Sequence, residues 1–193
     1  MADGRLALRT VVGGLMMGHG LQKLWGSFGG PGLEGTQKMM TALRMHPVRE
    51  QALAAALSET IGGGLTAAGL LSPLGPAMII GTMAVAIHKV HFKNGIWSAN
   101  RGYEYNLTLI AGALELAIEG PGALSADRLI GQERSGLRWG AAALAVGLGS
   151  AAATVAIANH FAPEPEPEPE PESQPATAQP PDTQPMTARQ RPE

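Results

Sequence analysis

Hydrophobic positions come in long runs with little polar interruption, and the runs have helical rather than strand length. Residues 139–159, W-G-A-A-A-L-A-V-G-L-G-S-A-A-A-T-V-A-I-A-N, carry no charge and reach the ~20 residues that a membrane-spanning helix needs. Residues 60–87 are also uncharged and are broken only by S-P-L-G-P at 72–76. Two prolines around a glycine mark a tight connection, which predicts a hairpin of helices over 51–71 and 76–92. Pro76 then falls at the first helical position, where its missing N–H does no harm. A further span is predicted over 105–120, ended by G-P-G, and the first over 6–24, with Arg9 near its start. Glu115 interrupts the former; His19 and Lys23 interrupt the latter. The pattern predicts an all-α protein: a polytopic membrane four-helix bundle with one extra C-terminal transmembrane helix. A soluble helical bundle is the alternative, but 139–159 has no polar face to show water. Gly14 and Gly18, four apart, are expected to let α-helical backbones approach closely.

Composition changes this picture at the C-terminus. Mean hydropathy is close to zero because it averages two unlike regions. Residues 163–193 are nearly all Pro, Glu, Gln, Thr, Ala, Ser and Arg, too polar to offset the entropy of ordering. The expected organisation is a four-helix membrane domain over 1–131, an extra transmembrane helix within 132–162 and a disordered Pro/Glu-rich tail over 163–193. The E-P repeat at 164–172 favours extended polyproline II, as a solvated spacer or as a docking tail for a basic partner. A net charge of −2 gives no basic field for nucleic acid. The absence of cysteine excludes disulfides, thiolate metal sites, cysteine-held clusters and thiol nucleophiles within the chain. The first apolar run is not followed by a small-residue cleavage pattern, which argues against a removed signal peptide.

Loop charges do not orient the chain. An inside N-terminus places Arg5, Arg9, Arg128, Arg134 and Arg138 on the inner side and Lys38, Arg44, Arg49, Lys93 and Arg101 on the outer.

Ionisable side chains inside spans are costly, by about 2.5–3.5 kcal/mol on insertion scales, and generally face the bundle interior. His19 and Lys23 are four apart and share a helix face. Lys23 can snorkel beside Trp25; His19 lies a turn deeper. Glu59 sits within the second span, where a Lys23–Glu59 or His19–Glu59 pair is geometrically allowed. His88 and His91 share a face at the end of the third span, with Lys89 directed elsewhere. A His-x-x-His pair can ligate a metal, but it needs a third ligand, for which Glu104 is the candidate unless it pairs with Lys89; no metal is expected. Glu104 opens the fourth span on the same side, and Glu115 and Glu119 lie toward its other end. Trp25, Trp97, Tyr103 and Tyr105 fit an interfacial aromatic belt. Five of these groups, His19, Lys23, His88, His91 and Glu104, come from three helices and converge on one membrane face as a cationic pocket.

With these pieces placed, the chain resembles the DoxX family of small integral membrane proteins. The likeness rests on H-G-L-Q-K-L-W-G at 19–26, S-E-T-I-G-G-G-L-T-A-A-G-L-L at 58–71 and H-K-V-H-F-K-N-G at 88–95. It continues through G-Y-E-Y-N-L at 102–107 and E-G-P-G-A-L-S-A-D-R-L-I-G at 119–131. The resemblance implies a four-helix membrane bundle with both ends cytoplasmic, to which the helix at 139–159 and the acidic tail are additions. The N-terminus is then cytoplasmic and the tail outside a cell membrane crossed several times. It also implies a membrane subunit of a redox system, linked to quinone in the oxidation of a small, reduced-sulfur substrate or acting in oxidative-stress defence with soluble partner enzymes. On that reading His19, Lys23, His88 and His91 hold a quinone and Glu59 and Glu104 relay protons, within a lipid bilayer and with self-association open. A non-catalytic scaffold for soluble redox enzymes and a small proton-linked transporter are the alternatives.

Overall fold

The computed structural model describes residues 4–163, and these form helices joined by loops, without strands. The elements are α1 (Gly4–Trp25), α2 (Gly32–Ala42), α3 (Val48–Ala68), α4 (Leu74–Ala86), α5 (Glu104–Glu119), α6 (Ala126–Leu129) and α7 (Leu137–His160). Five long helices, α1, α3, α4, α5 and α7, form the bundle, matching the five expected runs. The polyproline expectation for the tail falls outside the described residues.

Among these helices α7 alone is clearly long and apolar enough to cross a membrane. α4 and α5, with 13 and 16 residues, are shorter than the usual span. α1 and α3 are long enough, but Arg5, Arg9, His19 and Lys23 dilute the first and Arg49, Glu50 and Glu59 the second. Outward-facing side chains are nonetheless large and apolar: Val11 and Leu15 on α1, Leu57 and Ile61 on α3, Val146 and Leu148 on α7.

α1 and α3 pack antiparallel at unusually close range. A Cβ on Gly13 would lie 2.6 Å from the Gly63 carbonyl oxygen, and one on Gly63 would lie 2.3 Å from the Met17 nitrogen. Further along, Gly20 seats against the backbone of Thr60. The expectation for Gly14 and Gly18 is corrected here. Both face open space, because the contact stripe on α1 runs through positions 13 and 20, seven residues apart. α4 meets α7 in the same manner, at Gly81 against Gly147.

The α3–α4 hairpin is confirmed, with a shifted start. α3 ends at left-handed Gly69 in a Schellman arrangement, the Leu70 N–H donating to Leu65 O at 2.9 Å. α4 begins at Leu74, so Pro76 is its third residue, still in the first turn where no intrahelical donor is needed.

Asp127 of α6 closes this end of the bundle. It is fully buried and accepts from the Leu71 and Ser72 N–H groups, each at 2.8 Å. Arg9, also buried, donates to the Leu124 carbonyl beside it. The carboxylate thus caps a turn whose backbone donors have no helical partner. Asp127→Ala strands both donors and is expected to lower unfolding stability by about 2 kcal/mol. Thermal unfolding of the detergent-extracted protein measures this, and an unchanged midpoint would contradict the capping role.

Candidate functional site

The opposite end of the bundle is open and encloses a cavity of about 650 Å³. α1, α3, α4, α5 and α7 form its walls, and α2 covers it. α2 is held there by Thr36, which is fully buried and donates to the Lys23 carbonyl oxygen at 3.1 Å. The deep walls are apolar and flexible, with Met16, Met40, Met45 and Met83 among them.

The polar side of the cavity follows from the α1–α3 contact. Because Gly20 brings α1 against Thr60, the next turn of α1 delivers Lys23 to Glu59. Lys23 Nζ donates to Glu59 Oε2 at 2.5 Å, with the carboxylate almost wholly buried and the lysine partly exposed. His19, one turn below, has Nδ1 3.1 Å from Gln22 Oε1. Both His19 and the ion pair line the cavity.

α4 ends in a π-helical turn over Ile87–His91. An i→i+5 turn advances less around the axis per residue, so residues three apart no longer share a face. The expected His88–His91 pairing is corrected for this reason. His91 lines the cavity together with Lys89, whereas His88 is exposed and does not line it. Glu104 begins α5 but also stays outside the cavity lining; its N–H donates to Ile96 O at 2.8 Å. Glu115 is exposed on the outer face of α5. Of the residues expected to form one site, the structure therefore gathers His19, Lys23, Glu59 and His91 and leaves out His88 and Glu104. Among the described residues no three His, Asp or Glu side chains cluster as a metal centre requires.

Sequence reasoning missed several lining groups. Arg101 reaches the mouth from the α4–α5 loop. Gln51 lines the wall and donates to the Thr154 carbonyl of α7 at 3.4 Å, tying α7 to α3. Asn106 is buried in the wall with its amide on Met83 Sδ at 3.3 Å. Only Asn106, a polar residue in an apolar stretch with i+3 Leu109, carried a readable signal. Its side chain must find a partner once buried.

The lining is amphipathic and carries more cations than anions: Lys23, Lys89 and Arg101 against Glu59. Such a site suits a ligand with a flat or elongated apolar body and oxygen atoms at one end.

No curated protein and no solved structure matches the chain. Residues 4–92 match the DoxX family model, a segment that includes α1 through α4, the π-helical turn and all four of the gathered residues. The family is membrane-associated and of a redox-associated type. Over that segment, a little under half of its length, the chain is similar to the DoxX family.

Proposed function

We propose that this protein is a multi-pass membrane subunit of a quinone-linked redox system and that the cavity receives the quinone. The observation that carries the reading is the cavity itself, whose methionine-rich walls meet His19, the Lys23–Glu59 pair, His91 and Arg101 at one end. The donor set fits the group: ammonium and guanidinium hydrogens suit quinone oxygens, and apolar walls suit an isoprenoid tail. When bound, a quinone supplies two-electron carrier chemistry that no side chain here offers. The chain's own part is to orient the ring, exclude water and hold protons at Glu59 and His91, and substrate electrons come from a soluble partner.

The large apolar side chains on the outer faces of α1, α3 and α7 support a bundle bathed in lipid. An odd number of long helices puts residue 4 and residue 160 at opposite ends of the bundle. With the closed end and its arginines inside, the N-terminus is cytoplasmic and the cavity opens at the outer face.

Full-length protein extracted in mild detergent is expected to retain quinone, read by native mass spectrometry. His19→Ala removes a group from the lining and is expected to weaken binding of added short-chain quinone by about tenfold, the equivalent of ~1.4 kcal/mol. Lack of retained quinone together with lack of binding would sink the proposal. Soluble partners that stay attached in the same preparation would then support the scaffold.

A further inference from the structure

The hydrogen bonding of His91 sets which form of such a ligand the cavity prefers, an inference that rests on the quinone reading above. His91 Nδ1 lies 2.8 Å from the carbonyl oxygen of Arg101. A carbonyl oxygen can only accept, so Nδ1 carries the proton and donates it. In the neutral ring Nε2 is then a lone pair and nothing else.

The carbonyl that enforces this is firmly placed. It also accepts from Asn94 Nδ2 at 3.2 Å. Arg101 has left-handed backbone, φ 61, and the next residue must be glycine, since a Cβ on Gly102 would lie 2.3 Å from Gly95 O. Gly102 N–H donates to Trp97 O at 3.0 Å and Tyr103 N–H to Gly95 O at 3.2 Å, closing the loop. His19 differs: its partner is the side-chain amide of Gln22, which can offer an acceptor or a donor, so its tautomer is not enforced.

Quinone oxygens are acceptors only, whereas a hydroquinone hydroxyl both accepts and donates. Lys23, Lys89 and Arg101 are donors and serve either form. The neutral His91 Nε2 and the Glu59 carboxylate are acceptors and serve only the hydroxyl. A carbonyl oxygen facing Nε2 would set two lone pairs against each other, and a site built to accept from a hydroxyl rejects analogues that lack it.

We propose that His91, held as the Nδ1–H tautomer by the Arg101 carbonyl, makes the cavity selective for the hydroxyl-bearing, reduced form of a quinone. A site that binds the reduced form more tightly raises the potential of the bound couple, by about 30 mV per tenfold preference for two electrons. The bound quinone thereby becomes the stronger electron acceptor, which suits a subunit that draws electrons from a substrate.

The test uses full-length protein in lipid nanodiscs, with a short-chain benzoquinone and its hydroquinone titrated without oxygen in buffer alkaline enough to keep imidazole neutral. The hydroquinone is expected to bind about tenfold more tightly. His91→Phe is expected to lower hydroquinone affinity about tenfold relative to quinone affinity and so remove the preference. In ¹⁵N-histidine spectra of the unaltered protein, the His91 signal, identified by its loss in that variant, is expected to report a protonated Nδ1 and a bare Nε2. Equal binding of both forms, a preference that survives His91→Phe, or a proton on Nε2 would each overturn the proposal. Binding of neither form is a different result and overturns the quinone reading itself.

Discussion

Lys23→Met is expected to destabilise the protein by about 3–5 kcal/mol, the usual consequence of leaving one member of a buried ion pair alone. The two partners are not equivalent. The Glu59 side chain is 5% exposed, sits mid-helix on α3 and has a short stem, so without Lys23 it cannot move far from its buried position. Lys23 is 21% exposed, stands in the last turn of α1 and has a four-carbon stem. Without Glu59 its ammonium can swing toward the cavity end and recover hydration. Glu59→Gln is therefore expected to cost about half as much as Lys23→Met. Replacing both by apolar residues of similar volume should recover much of the loss, because neither charge then needs desolvating. Denaturant unfolding of the four species in one detergent forms a double-mutant cycle. Equal costs for the two single variants would show that burial does not decide which partner depends on the other.

The Lys23–Glu59 pair was within reach of the sequence, since two ionisable groups within apolar runs of adjacent antiparallel helices have few other partners. The long helices were legible for the same reason: runs of apolar residues bounded by S-P-L-G-P or G-P-G leave little choice of ends. α2 was not. It is a single short helix whose buried stripe is only Thr36 and Met40, and its place over the cavity depends on Thr36 reaching the last turn of α1. The expected helices leave residues 25–50 unassigned, so nothing in the pattern places Met39 and Met40 over the cavity.

Register was the other limit. The π-helical turn at Ile87–His91 reassigns which of two neighbouring histidines faces inward, and i→i+5 bonding leaves no mark in a hydropathy pattern. His91, five residues beyond the cavity-lining Ala86, reaches the cavity for this reason, whereas Lys89 lies one ordinary turn beyond Ala86 and His88 stays outside. Asp127 illustrates a third kind of loss. A charged residue in S-A-D-R-L-I-G reads as surface until the turn that it caps is folded beside it.

The largest packing effect is expected at Gly63. A leucine there would drive a side chain into the α1 backbone, where even a Cβ would stand 2.3 Å from Met17 N and 2.6 Å from Gly13 O. Backbone cannot step aside as a flexible side chain can, so the helices must separate, at a cost of about 3 kcal/mol or more. Gly14→Ala is the matched control: it has open space around it and replaces a poor helix former, so stability should stay level or rise by up to ~1 kcal/mol. Separation of α1 from α3 also moves Lys23 away from Glu59, which couples the two sites. In the milder Gly63→Ala background, Lys23→Met should cost measurably less than in the unaltered chain, because the ion pair is already loosened. Strict additivity of these two changes would mean that the glycine contact and the ion pair are independent. The close approach of two glycine-bearing helices would then have no part in positioning the charged wall of the cavity.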